Sequence, residues 1–118
     1  MSAELLLTDL DRRAVAVSKA LAADAVEKAG SGHPGTPISL ASVAWLLYQR
    51  EMVHDPLDPG WLGRDRFVLS IGHASLVQYI QLFLAGYDIG LSGFTAFRSP
   101  AGLPGHPEFG EVPGVETT

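Results

Sequence analysis

Three of the four histidines in the chain follow a glycine, at His33, His73 and His106, and two of these, His33 and His106, also precede a proline. With 13 glycines in 118 residues, that coincidence has a chance of roughly one in 200 if positions were independent. A preceding glycine lets the backbone come close to a ligand, and a residue before proline is pushed out of the α region into an extended conformation. Both features hold an imidazole still and reachable. Imidazoles titrate near neutral pH, so three of them on separate loops suit proton transfer and contact with an oxyanion. A lone loop histidine is more often a surface or hydrogen-bonded structural residue, and His54, set among Asp and Pro without a glycine, is read as part of an ordinary loop.

Other chemistries are narrowed by what the residues permit. With no cysteine, disulfides, thiolate nucleophiles and Cys-ligated zinc are excluded. A metal reading would gather the three histidines with Glu108 at the H-x-E spacing, but the histidines lie more than 30 residues apart in no diagnostic pattern, and no metal ligand is assigned. Gly30, Gly32 and Gly35 match G-x-G-x-x-G, yet this run leaves a helix where a dinucleotide fingerprint leaves a strand. Backbone amides near a helix start at Thr36 can still approach an anion.

The elements that must carry these residues follow from pattern. Leu10, Ala14, Val17, Leu21 and Ala25 fall on one face of a helix that Thr8 can cap and Gly30 stops. Thr36-Pro37 then opens a second helix over 37–51, apolar nearly all round and so expected to be buried on all sides. Arg64-Asp65-Arg66-Phe67-Val68-Leu69-Ser70-Ile71-Gly72-His73 reads as a short buried strand delivering His73 at its carboxyl end, where open α/β sheets place their ligands. A third helix is expected over 74–85, ending at Gly86, and a short one over 91–97 with Ser92 as its cap. Beyond Arg98 the chain is rich in Pro and Gly and has no helical or strand period. The expected class is α/β, mostly helical with at least one buried strand.

Composition bounds the rest. The chain has 118 residues, 47% of them apolar, and a net charge of -5, which suits one small globular domain with neither a basic stripe nor a Lys/Arg cluster for nucleic acid. Its longest apolar runs, 40–48 and 80–85, fall far short of the roughly 20 residues of a spanning helix, and the N-terminus is not a signal peptide. A soluble cytoplasmic protein is expected. Two apolar helices and a single strand do not close a sheet, so a partner or a missing remainder is expected to cover them.

Three runs together carry a more specific resemblance. Lys28-Ala29-Gly30-Ser31-Gly32-His33-Pro34-Gly35-Thr36-Pro37, the run from Arg64 to Ser75, and Pro104-Gly105-His106-Pro107-Glu108 followed by Pro113-Gly114-Val115-Glu116-Thr117-Thr118 resemble, in order and spacing, the N-terminal segment of transketolases. The resemblance covers about residues 10–118. It implies that residues 1–118 are the N-terminal part, incomplete, of the diphosphate-binding domain of a thiamine-diphosphate-binding fold. The implied enzyme is a transferase of the pentose phosphate pathway that uses thiamine diphosphate and magnesium and acts as a homo-oligomer, a dimer. It passes a two-carbon ketol unit from a ketose phosphate to an aldose phosphate, with the cofactor carrying the hard chemistry.

By motif match, His33 resembles the histidine near the reacting carbon that assists proton transfer and binds substrate. His73 resembles the one contacting the cofactor diphosphate, His106 the one hydrogen-bonding the donor's terminal hydroxyl, and Thr36 a minor cofactor contact. Ile71, Ser39 and Leu103 depart from residues common in the family, and none of these departures removes a histidine. The glycine-rich cofactor loop, the Gly-Asp-Gly and Asn motif for magnesium, and the glutamate that activates the cofactor do not occur in this sequence. Catalysis is therefore expected to need the remainder of the enzyme or a homologous subunit. A non-catalytic remnant serving as an interaction module is the competing reading, and a dihydroxyacetone synthase fragment would share these motifs.

Overall fold

A capping box opens the first helix: the Thr8 hydroxyl accepts the Asp11 N–H at 3.1 Å and the Asp11 carboxylate accepts the Thr8 N–H at 2.8 Å, satisfying two donors that a helix start leaves without partners. In the computed structural model, which describes residues 6–116, this helix, α1, runs Asp9–Ala29 and ends at Gly30 with φ 74°, the left-handed stop that glycine takes without a Cβ penalty. Both ends match the sequence reading. The buried face does not. Asp11, Val15, Ser18, Ala22 and Ala25 turn inward, whereas Leu10 is 70% and Val17 51% exposed. Asp11 is drawn in because the Trp45 indole and the Arg50 guanidinium both donate to it, and the small Ser18 and Ala22 let the neighbouring helix come close.

The expected second helix is three pieces. α2 (Gly35–Ser39) and α3 (Ala41–Leu46) meet at Leu40, and a π-helical turn follows over Leu47–Glu51. Proline at position 37 falls inside the first turn of α2, whose preceding residue is Pro34, and no side chain caps this start. Nor is the segment buried on all sides: Ala41, Ala44, Trp45 and Tyr48 are buried while Val43 is 55% exposed. The widened turn, closed by the Met52 N–H donating to the Leu47 carbonyl at 2.8 Å, carries Tyr48 inward and Arg50 toward Asp11.

Residues 65–69 form no strand, and no strand occurs among the described residues, which overturns the expected α/β class with a buried strand. A strand is maintained by ladder hydrogen bonds to a neighbour, and none lies beside this run. Its start is held instead by Val53 and Asp65, which exchange two bonds: the Asp65 N–H donates to the Val53 carbonyl and the Val53 N–H to the Asp65 carboxylate, both at 2.7 Å. Leu69 is buried, Phe67 half-buried and Val68 exposed.

The chain then makes a 3-10 turn at Gly72–Ala74 and enters α4 (Leu76–Ala85). This is the central element, buried at every residue from Leu76 to Leu82. Around it gather Ala22 and Ala25 of α1, Tyr48, Phe94 of α5 (Leu91–Thr95), and Leu103, Val112 and Val115 of the terminal segment. Gly90, not Ser92, precedes α5. Two glutamines share this core: the Gln81 amide donates to Ser18 Oγ at 3.3 Å and that of Gln78 to the Tyr48 hydroxyl at 3.4 Å.

The Pro/Gly-rich segment after Arg98 is irregular, as expected, but packed. Leu103, Pro107, Val112 and Val115 are buried, and Arg64 grips Glu116 through two parallel bonds of 2.8 and 2.9 Å, a planar fork onto a carboxylate. A Cβ at Gly114 would lie 2.6 Å from the Leu82 side chain, so only glycine lets the segment seat this closely on α4. Thr117 and Thr118, which close the third sequence motif, lie outside the described residues.

Candidate functional site

His33 sits between Gly32, whose φ is 131°, and Pro34, the residue before α2. His73 sits in the 3-10 turn that leads into α4, not at the end of a strand. Separate elements therefore bring the two rings together, and they meet edge to face with centroids 4.8 Å apart and planes at 72°. Both residues are exposed, and neither imidazole has a hydrogen bond to another described residue. Thr36, the second residue of α2 and three residues after His33, is half-buried, and its carbonyl accepts the Leu40 N–H at 2.9 Å.

His106 is placed from the other side of the core. The Tyr79 hydroxyl, at the end of a fully buried side chain of α4, donates to the Pro104 carbonyl at 2.8 Å. Leu103 and Pro107 are buried on either side, so Gly105 and His106 are held out from a fixed base. Burial raises the Tyr79 hydroxyl pKa, and the carboxylates of Glu111 and Glu108 add to that rise, which keeps it a proton donor to Pro104. His106 is exposed and borders an open hollow of about 520 Å³ with Arg98, Ser99, Pro104 and Glu108.

Arg98 connects the two Gly-His-Pro runs. A Cβ placed on Gly32 would lie 3.6 Å from Arg98 Cδ, and one placed on Gly105 would lie 3.4 Å from Arg98 Nη1. Among the described residues other than glycine, Arg98 alone has a positive φ, 67°, a conformation that costs about 1–2 kcal/mol for a residue with a Cβ. Its own N–H donates to the Leu103 carbonyl at 2.9 Å, closing a tight loop. Its sequence context, Ala96-Phe97-Arg98-Ser99-Pro100, carries no signal of such a conformation. Among the described residues, no three or more His, Asp or Glu side chains are grouped to hold a metal ion, and no helix is long and apolar enough to cross a membrane.

The family model described as "Transketolase, thiamine diphosphate binding domain" matches residues 10–118. The chain belongs to the transketolase family. It is 56% identical over 112 residues to a transketolase of Mycobacterium tuberculosis strain H37Rv, across 94% of this chain and 16% of that relative. Among solved structures it is similar to transketolase of Campylobacter jejuni, with a TM-score of 0.86 and 40% identity over 93% of this chain and 17% of that one. It is also similar to a Pichia stipitis transketolase in complex with sedoheptulose-7-phosphate, with a TM-score of 0.85 and 43% identity over 92% of this chain and 16% of that one. The chain thus spans about one sixth of the length of these transketolases. All three Gly-His positions fall within the matched residues.

Proposed function

We propose that this chain is the N-terminal part of the diphosphate-binding domain of a transketolase and works with the remainder of that enzyme or a homologous subunit. Together they would move a two-carbon ketol unit from a ketose phosphate to an aldose phosphate. The observation that carries this reading is the His33–His73 pair: two exposed imidazoles 4.8 Å apart in a chain that matches a thiamine diphosphate binding domain.

The donor set suits that cofactor. His73 and His33 have ring nitrogens without intrachain partners among the described residues. Imidazole N–H groups are strong partners for phosphate oxygens. In this reading His73 donates to the diphosphate and Thr36 adds a minor contact. His33 and His106 stand on the substrate side, where His33 moves a proton and binds substrate and His106 holds the donor sugar's terminal hydroxyl. When bound, thiamine diphosphate supplies the carbon that carries the ketol unit. Magnesium on the diphosphate would take its ligands from the remainder of the enzyme, since no three or more His, Asp or Glu side chains are grouped to hold a metal ion among the described residues. A cytoplasmic homodimer acting in the pentose phosphate pathway completes the reading.

The test is reconstitution. The 118-residue chain is expected to give no ketol transfer by itself and to give transfer when co-purified with a polypeptide completing the transketolase, with thiamine diphosphate and magnesium present. Full activity from the chain alone would remove the dependence on a remainder. No activity in the reconstituted enzyme would overturn the assignment.

A further inference from the structure

We infer that Arg98 is a positioning residue, a strut whose side chain sets the separation of the His33 and His106 loops. The shaft of Arg98 lies between the two loops: its Cδ faces Gly32, which precedes His33, and its Cγ and guanidinium face Gly105, which precedes His106. Both neighbours are glycines, so no side chain of theirs holds the arginine off, and Val26 and Phe97 close the Gly32 side beside it.

The backbone at Arg98 is held from three directions. Its N–H donates to the Leu103 carbonyl. Gly102 is pressed against Ala96, where a Cβ would come within 2.2 Å of the carbonyl oxygen. Leu103 is buried, and its N–H donates to the Gly93 carbonyl at 3.1 Å. A left-handed residue with a Cβ persists only where its surroundings over-determine it, and such residues cluster at functional sites. Glycine or asparagine would take this φ with less strain; what the arginine adds is a shaft that fills the space between the two loops. No other described side chain pairs with the guanidinium, so its packing against Gly32 and Gly105 is what it does within the chain.

The importance of that separation for catalysis rests on the transketolase reading, but the separation itself is measured without activity. The chain has no cysteine, so spin labels can be attached through Ser31→Cys and Glu108→Cys, both at exposed positions flanking the two histidines. Double electron-electron resonance then gives the distance distribution. With Arg98 present the distribution is expected to be narrow. Arg98→Asn suits the left-handed backbone and removes the shaft, and is expected to widen the distribution at least twofold. Arg98→Met keeps the shaft without the charge and is expected to restore most of the narrow width. An Asn variant as narrow as the parent, or a Met variant as wide as the Asn variant, would overturn the strut. Failure of the reconstituted enzyme to transfer a ketol unit would instead strike the transketolase reading and leave this measurement untouched.

Discussion

The Trp45 indole N–H donates to Asp11 Oδ1 at 2.8 Å across a separation of 34 residues, and this bond ties the start of α1 to the end of α3. Arg50 donates to the other carboxylate oxygen, and Thr8 closes the capping box on the same group. One carboxylate therefore secures a helix start, an indole and a guanidinium.

Stability should follow the charge of Asp11. The Trp45 hydrogen bond, then the Thr8 backbone N–H, bring its pKa down from 3.8 to about 2 against the opposing effect of burial. Because the folded value lies below the unfolded one, the contribution is present in full above about pH 4 and is lost as pH falls through 2. Urea denaturation at pH 6, 4 and 2 is expected to show Asp11→Asn clearly less stable than the parent at pH 6, with the difference closing toward pH 2. A difference that stays constant with pH would show that the carboxylate charge is not what holds this junction.

Tyr79→Phe removes the donor to the Pro104 carbonyl and nothing else of size. The loss of one buried hydrogen bond is expected to lower unfolding free energy by about 1–2 kcal/mol. Amide hydrogen exchange should speed at Arg98 and Leu103, whose N–H groups donate within and beneath this loop, more than in α1, since the bond anchors the base of that loop. Equal acceleration across the whole chain would mean that Tyr79 serves global stability alone.

The ends of α1 were legible in the sequence because caps are local chemistry, Thr8 at one end and Gly30 at the other. Its buried face was not. Counting apolar residues favoured Leu10 and Val17, and the structure buries Asp11 and Ser18, whose partners Trp45, Arg50 and Gln81 are distant in sequence. The run ending at Leu69 has the pattern of a strand without being one, for a related reason: apolar content draws a segment inward, but only a neighbour makes it a strand. The three site histidines stood out through their glycines and prolines. Their arrangement did not, since the meeting of His33 with His73 and the span of Arg98 are tertiary facts. His54, set aside as an ordinary loop residue, is held at both ring nitrogens, by the Tyr48 carbonyl and the Tyr87 hydroxyl, each at 2.8 Å.

Gly102 and Gly60 make a matched pair. A methyl at Gly102 would fall 2.2 Å from the Ala96 carbonyl oxygen, whereas one at Gly60 meets nothing within 4 Å. Gly102→Ala is expected to cost about 3 kcal/mol, at the upper end for overpacking against unyielding backbone. Gly60→Ala should lie between neutral and about 1 kcal/mol stabilising through the unfolded chain's lost entropy. Thermal unfolding of the two variants side by side checks both signs, and a neutral Gly102→Ala would show that the loop beyond Arg98 gives way.

The roles proposed for the histidines separate in kinetics. Within a reconstituted transketolase, His73→Ala removes a donor to an anionic diphosphate. Hydrogen bonds to charged groups contribute about 1.5–3 kcal/mol, so the apparent Kd for thiamine diphosphate should rise about 10- to 100-fold, with the donor sugar's KM little changed once the cofactor is saturating. His106→Ala should do the reverse, leaving cofactor affinity near that of the parent and raising the donor's KM by about tenfold or more. Cofactor titrations of transfer rate, followed by donor titrations at saturating cofactor, distinguish the two. Should His106→Ala weaken the cofactor as much as His73→Ala does, the division into a diphosphate side and a substrate side would fail, and the three histidines would have to be read as one cofactor-binding cluster.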